Sequence, residues 1–198
     1  MAEQLLNYER NMFYVINGYH TRWLDGIILA FTTAWIWFPL LLAPLLYFFR
    51  KKRNEWIPML ICTVSSTISS AIVTDLIIKP LFKRFRPTNH PDFMANVTRV
   101  NDFMANGAYG FISGHSTTSF AFAMFSALVI KRWWYALFIF LWAALMAYSR
   151  IYLGVHFITD VIPGIVFGLA IGWGLYFLFK RLKANMQPLK IKNRATAA

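Results

Sequence analysis

The chain has 198 residues, of which 58% are hydrophobic and only 14% are charged. Soluble domains have about a quarter of their residues charged, so this composition argues against a water-soluble protein, and its hydrophobicity excludes a disordered chain. The net charge is +12, but the basic residues lie between long apolar segments, which favours membrane topology over nucleic-acid binding. The single cysteine, Cys62, excludes an intramolecular disulfide and a cysteine-based metal site.

Residues 1–25 mix apolar and polar side chains at roughly helical spacing. The sequence therefore predicts an amphipathic helix that lies on the membrane surface. A cleavable signal peptide is not expected, because the segment has no basic start, no compact apolar core and no small-residue cleavage site. The apolar positions of the predicted helix are Leu5, Leu6, Met12, Phe13, Val15 and Ile16.

Five later segments approach the length of about 20 apolar residues that a membrane span requires. They cover about residues 26–49, 57–78, 114–130, 133–149 and 157–179. The second is rich in serine and threonine, which is typical of packing against other helices, and the third and fourth are short. The predicted fold is an all-α integral membrane protein, a bundle of about five to six transmembrane helices. Residues 1–183 are expected to form a single membrane domain and residues 184–198 a basic, mobile, cytoplasmic tail.

The distribution of charge predicts an orientation in the membrane. The segments 50–56, 131–132 and 180–198 contain twelve basic residues and one acidic residue, whereas the rest of the chain has eight basic and seven acidic residues. Because positive charge concentrates on the cytoplasmic side, we expect the C-terminus inside and the N-terminus outside. The segments 79–113 and 149–160 then face outward.

Most polar residues that packing does not explain lie in these two outward segments. A basic cluster that includes Lys83 and Arg84 follows the second span, and further polar residues flank the other spans. Antiparallel spans would bring these helix ends to one face. The predicted site contains three cations, two histidines, one carboxylate and a Ser-Gly pair: Lys79, Arg86, Arg150, His115, His156, Asp160, Ser113 and Gly114.

These residue types suit an anion such as phosphate. Fixed cations beside a helix N-terminus bind anions, and Ser113-Gly114 supplies a hydroxyl and a backbone that permits close approach. His156 and Asp160 are four residues apart, so on a helix they share one face. The carboxylate can then hold one imidazole N–H and leave the other nitrogen as a nucleophile. His115, from another helix, is a candidate general acid and base.

Simpler roles are also open for some charged residues. Lys79 follows Asp75 by four residues, so the two side chains can neutralise each other. His20 and His90 lack such neighbours and are interpreted as interfacial or loop residues.

Three motifs, in this order, resemble the signature of the type 2 phosphatidic acid phosphatase superfamily, which includes membrane lipid phosphatases and the soluble vanadium haloperoxidases. They are Lys79-(six residues)-Arg86-Pro87, Ser113-Gly114-His115, and Ser149-Arg150-(five residues)-His156-(three residues)-Asp160. The resemblance spans residues 79–160, and its three ordered parts are highly specific. The family usually has proline before Ser-Gly-His, where this sequence has Ile112, a difference that concerns loop geometry.

The resemblance implies a reaction. Lys79, Arg86, Ser113, Gly114, His115 and Arg150 would hold the phosphate. His156 would attack phosphorus, Asp160 would orient it, and His115 would protonate the leaving oxygen. The phosphohistidine would then be hydrolysed, without a metal or another cofactor.

The expected function is hydrolysis of a lipid phosphate or diphosphate at the outer face of a bacterial-type inner membrane. Undecaprenyl diphosphate, phosphatidylglycerol phosphate, phosphatidic acid and lipid A phosphates remain open as substrates. Head-group choice is attributed to loop 88–112, with Asn89, His90, Asp92, Arg99 and Asn101. The alternatives are a membrane anion transporter, against which the lack of an inverted repeat argues, and a catalytically silent phospholipid-binding protein.

Overall fold

A computed structural model of the chain describes residues 2–91, 93–105 and 107–195. This part of the chain is helical, with no strand beyond one isolated bridge between Phe85 and Tyr109, so the predicted all-α class is confirmed. The α-helices are α1 (Ala2–Asn17), α2 (Arg22–Thr32), α3 (Ala34–Lys51), α4 (Trp56–Ala71), α5 (Lys79–Phe82), α6 (Gly114–Ile130), α7 (Trp133–Tyr152) and α8 (Ile158–Ala195). A π-helix, Ile72–Ile78, joins α4 to α5.

Three helices of the described residues are long and apolar enough to cross a membrane: Trp56–Phe82, Trp133–Tyr152 and Ile158–Met186. Helix α6 is a shorter apolar helix, and its bounds agree with the predicted segment 114–130. A membrane protein is therefore confirmed at this level, whereas the count of five spans stays a prediction.

The predicted first span, 26–49, is not one continuous helix. It is interrupted at Thr33, whose backbone is extended with φ −75° and ψ 141°. The hydroxyl of Thr32 donates to the carbonyl of Leu29 at 2.8 Å, and that of Thr33 donates to the carbonyl of Ala30 at 2.6 Å. Threonine hydroxyls that bond nearby carbonyls compete with the helical backbone, which explains the break between α2 and α3.

The second predicted span ends later than residue 78. Helix α4 continues through the π-helix into α5. Helix α5 is capped at its C-terminal end by Lys83, whose backbone is in the left-handed conformation with φ 47°. A π-helical turn inserts extra backbone into the helix and rotates the residues that follow it, and such turns often lie at functional sites. Here it directly precedes Lys79.

The last helix also exceeds its prediction. Helix α8 continues from the predicted end at residue 179 to Ala195, so the segment expected to be a mobile tail is helical over 184–195. Alanine and lysine in this segment favour helix, whereas Pro188 disfavours it, so composition alone does not explain the continuation.

Helices α6 and α8 pack closely because two glycines of α8 face α6. A Cβ atom at Gly168 would collide with the backbone carbonyl of Thr117, and one at Gly172 with that of Ala121. Small residues at a helix interface let two backbones approach each other. This contact fixes the start of α8 beside the start of α6.

Helix α1 covers only residues 2–17 of the segment 1–25 that was predicted as one amphipathic helix, since residues 22–25 belong to α2, and it packs against the bundle. Phe13 is fully buried and contacts the ring of Phe157 at a centroid distance of 5.4 Å. The amide of Asn17 donates to the carbonyls of Thr98 and Tyr152 at 3.0 and 2.9 Å. These contacts tie α1 to the end of α7 and to the loop before α6.

Candidate active site

A cavity of about 1100 Å³ opens between the end of α4–α5, the start of α6 and the end of α7. Six of the eight predicted site residues line it: Lys79, Arg86, Gly114, His115, Arg150 and His156. The segment from Phe103 to Tyr109 contributes further lining, with the exception of Asn106, which lies outside the described residues. The fold therefore brings together residues from all three sequence motifs.

Arg86 is buried against the loop that precedes α8, with 4% of its surface exposed. Its Nε donates to the carbonyl of Gly107 at 3.0 Å, and its Nη1 donates to the carbonyl of Val155 at 3.1 Å. Nη1 also lies 3.0 Å from Nε2 of His156. These contacts fix the guanidinium beside the imidazole, at the wall of the cavity.

The contact with Arg86 indicates the tautomer of His156. A guanidinium has donors only, so Nε2 must accept, and the proton of the neutral ring is then on Nδ1. Burial lowers the pKa of His156 to about 4, because the loss of hydration outweighs the stabilisation of the protonated ring by Asp160. At neutral pH the ring is uncharged and Nε2 carries a lone pair.

Asp160 lies behind His156 and does not line the cavity. His156 precedes the first residue of α8, so the two residues do not share a helix face as predicted. Instead, Oδ2 of Asp160 accepts the N–H of Phe157 at 2.9 Å, which keeps the carboxylate near the ring. The distance from Nδ1 of His156 to Oδ2 is 3.5 Å, longer than a normal hydrogen bond, although such contacts often shorten when substrate binds.

A second arginine, Arg84, bonds this carboxylate directly. Its Nη1 donates to Oδ1 of Asp160 at 2.8 Å, and its Nη2 lies 2.8 Å from both carboxylate oxygens of Glu9. The guanidinium also lies 4.8 Å from the ring centre of Phe157. Sequence reasoning placed Arg84 in a basic cluster and gave Glu9 no role. A separation of 75 residues carries no pairing signal.

The start of α6 presents its first two residues to the cavity, whereas Ser113 lies behind them. Ser113 is fully buried and does not line the cavity. Its hydroxyl oxygen accepts the N–H of Ser116 at 3.4 Å as the helix N-cap, and its own N–H donates to the carbonyl of Asp160 at 3.0 Å. Ser113 therefore orients α6 relative to α8, and the helix N-terminus at Gly114 and His115 is left to attract an anion.

Gly114 allows α6 to lie against the π-helix. A Cβ atom at this position would lie 3.2 Å from Oγ1 of Thr74. The side chain of His115 is exposed and lines the cavity. It thus reaches the same space as His156 from a different helix.

Two further cations of the cavity wall come from different helices, Arg150 from α7 and Lys79 from α5. Arg150 is 2% exposed, and its Nε and Nη2 each donate to the hydroxyl of Ser149 at 3.1 Å. Lys79 pairs with Asp75 at 2.5 Å, so the predicted neutralisation is confirmed. Both cations nevertheless line the cavity together with Arg86.

The other two histidines lie outside the cavity. Nδ1 of His20 lies 2.9 Å from Oδ1 of Asp25. The ring of His90 packs edge-on against that of Phe93, and the two ring centres are 5.2 Å apart. In the loop before α6, Arg99 donates to the carbonyl of Thr88 at 3.0 Å, and Asp92 lies outside the described residues.

Comparison with known proteins identifies relatives. The model of a family described as the PAP2 superfamily matches residues 55–184. The lipid A 4'-phosphatase of Porphyromonas gingivalis is 38% identical over 181 residues, 89% of this chain and 75% of that protein. The lipid A 4'-phosphatase of Bacteroides thetaiotaomicron is 31% identical over 189 residues, which cover 94% of this chain and 84% of that protein. The crystal structure of a PAP2 type phosphatidylglycerolphosphate phosphatase from Bacillus subtilis has the same fold, with a TM-score of 0.67 at 22% identity over 92% of this chain and 87% of that one.

Proposed function

This chain belongs to the PAP2 superfamily and is a membrane lipid phosphatase, and we propose that it removes the 4'-phosphate of a lipid A-type glycolipid. The main observation in favour of a phosphatase site is that Lys79, Arg86 and Arg150 line the same cavity as His156. The choice of substrate is supported by the two relatives named for this activity, each matching most of the chain.

Phosphate binding is assigned to the cations of the cavity wall and to the start of α6. Arginine offers several N–H donors in one plane, so Arg86 and Arg150 suit a phosphoryl group with three oxygens, and Lys79 adds a third positive charge. The N-terminus of α6 at Gly114 adds backbone N–H groups and a partial positive charge. Ser113 then acts by fixing the direction of α6.

Two steps complete the proposed reaction. Nε2 of His156 attacks phosphorus, the P–O bond to the sugar breaks, and His115 gives a proton to the departing oxygen. In the second step His115 takes a proton from water, whose oxygen attacks the phosphohistidine, so that inorganic phosphate leaves and both histidines return to their starting state. Asp160 stabilises the positive charge that the phosphorylated ring carries.

No divalent metal is required for this chemistry. Positive charge around the phosphoryl group comes from three side chains, and the nearby carboxylates are already engaged, Asp75 by Lys79 and Asp160 by Arg84. A hard cation such as Mg²⁺ binds through several oxygen ligands, whereas both of these carboxylates already pair with a cationic side chain.

The substrate proposal is tested with purified protein in detergent and excess chelator. We expect release of phosphate from the 4' position of lipid A 1,4'-bisphosphate, with slower release from phosphatidic acid, phosphatidylglycerol phosphate and undecaprenyl diphosphate. Vanadate, which resembles five-coordinate phosphorus, should inhibit. A preference for another lipid would overturn the lipid A assignment, and a requirement for added magnesium would overturn metal independence.

Orientation in the membrane is a further part of the proposal. The excess of basic residues on one side supports five spans, a cytoplasmic C-terminus and an active site that faces the periplasm or outside. On this arrangement α1 lies at the outer interface, where its exposed Leu6, Met12 and Val15 contact lipid.

Cysteine accessibility tests this topology. In a Cys62→Ala background, we expect a membrane-impermeant thiol reagent to label Ala95→Cys in intact cells and to leave Ala184→Cys unlabelled until the membrane is opened. Both alanines are exposed, so the two variants are matched. The opposite labelling pattern would reverse the proposed orientation.

A further inference from the structure

We infer that Glu9 and Arg84 are positioning residues that hold Asp160 for its task beside His156, so that α1 takes part in catalysis. The inference rests on the proposed function of His156 as the nucleophile. Glu9 lies outside residues 55–184, the part of the chain that the family model matches. Glu9 therefore belongs to α1, a segment that contains none of the three sequence motifs.

The contacts form one continuous path. Glu9 is 8% exposed and Asp160 is fully buried, and Arg84 bonds both through different nitrogens at 2.8 Å. Thr159 adds contacts to Arg84 and to Glu9. Phe157 lies against the guanidinium, and its N–H donates to Asp160, so both partners of the carboxylate are fixed.

The charges of this path decide what it does to His156. The carboxylates of Glu9 and Asp160 with one guanidinium leave a net charge of −1. When Nε2 of His156 bonds phosphorus while Nδ1 keeps its proton, the ring becomes positively charged. A net negative group behind the ring stabilises that charge. Without Glu9, Arg84 and Asp160 would form a neutral pair, and the stabilisation would weaken.

Docking of α1 does not by itself require Glu9. Phe13 is fully buried, and Asn17 holds two backbone carbonyls of other segments, so α1 has separate anchors. A buried ion pair is also weak evidence for stability, because desolvation offsets much of the attraction. These facts favour a role in positioning the catalytic carboxylate over a role in folding.

The test is Glu9→Gln, which keeps the shape and removes the charge. We expect formation of the phosphohistidine in a single turnover of radiolabelled lipid phosphate to slow by about 10- to 100-fold, as for outer partners that orient metal-binding histidines. The Kd of the substrate should not change, and hydrolysis of the phosphohistidine should not slow, because the second step removes the positive charge that Glu9 helps to stabilise. Glu55→Gln is the matched control. It removes the carboxylate that lies 2.8 Å from Nζ of Lys183, and this ion pair is outside the cavity.

A double variant distinguishes positioning from a structural role. If Glu9 acts through Asp160, Glu9→Gln should add almost nothing in an Asp160→Asn background. Equal slowing in both backgrounds, or equal slowing of both reaction steps, would overturn the inference. So would a wild-type rate for Glu9→Gln.

Arg84→Lys keeps the inference testable if Glu9→Gln does not fold. Lysine keeps the charge but lacks the planar fork that contacts two carboxylates at once, so we expect the same selective slowing of the first step. A wild-type rate would contradict the inference. Failure of the proposed function looks different, since the wild-type protein would then form no phosphohistidine at all.

Discussion

His156→Ala should abolish hydrolysis of the lipid phosphate, the largest effect expected of any single substitution. The proposed reaction has no route to products without Nε2, which lies at the cavity wall beside Arg86. In a quench experiment with radiolabelled substrate, the wild-type protein should form a base-stable, acid-labile phosphoprotein, and the variant should form none. His90→Ala serves as the control, because His90 packs against Phe93 outside the cavity.

Asp160→Asn should retain a small residual rate. In serine proteases, replacing the aspartate that orients the catalytic histidine lowers kcat by about 10⁴, because the imidazole adopts a poorer tautomer. Here the loss should be of that order or smaller, since Arg86 continues to donate to Nε2 and favours the productive tautomer. Near-normal turnover by His156→Ala would show that the nucleophile is wrongly assigned.

His115→Ala should slow release of the first product by about 10²- to 10⁴-fold with a phosphate monoester, the usual contribution of general acid catalysis. The leaving group of a monoester is an alkoxide, which needs a proton as the P–O bond breaks. With a lipid diphosphate the leaving group is itself a phosphate, a much weaker base, so the same variant should be impaired far less.

This comparison requires single-turnover release of the first product from both lipids. In the proposed reaction His115 also activates water in the second step, which is common to the two substrates and would hide the difference in the steady state. A Thr118→Ser variant is a suitable control, because Thr118 also lies on α6 and lines the cavity without a proposed role in proton transfer. Equal slowing for both lipids would restrict His115 to binding or to the hydrolysis step.

Local sequence patterns predicted the helices best where their ends were well marked. Helix α6 has the predicted bounds 114–130, because Ser113-Gly114 provides a cap and Lys131 a polar end. The continuous helix predicted over 26–49 is wrong, since hydrophobicity alone did not reveal that Thr32 and Thr33 bond backbone carbonyls and end α2. The segment after residue 183 is helical to Ala195 although it contains Pro188, so its composition did not indicate this part of the helix.

The chemical class of the site is encoded in short motifs, so the sequence by itself was sufficient to predict the family, the phosphatase activity and six of the residues that line the cavity. Lys79, Arg86, His115, Arg150 and His156 are recognisable because each motif joins reactive side chains within a few residues of one another. Their meeting in one cavity follows from the antiparallel order of the helices.

Only the tertiary structure decided which groups contact His156, the proposed nucleophile, and Asp160. Ser113 is buried behind the start of α6, where its N–H donates to the carbonyl of Asp160 on α8. Asp160 is held by Arg84, and Arg84 by Glu9 of α1. The bonds of Arg84 join residues 75 or more positions apart, and such pairings depend on how the helices pack, which no local spacing expresses.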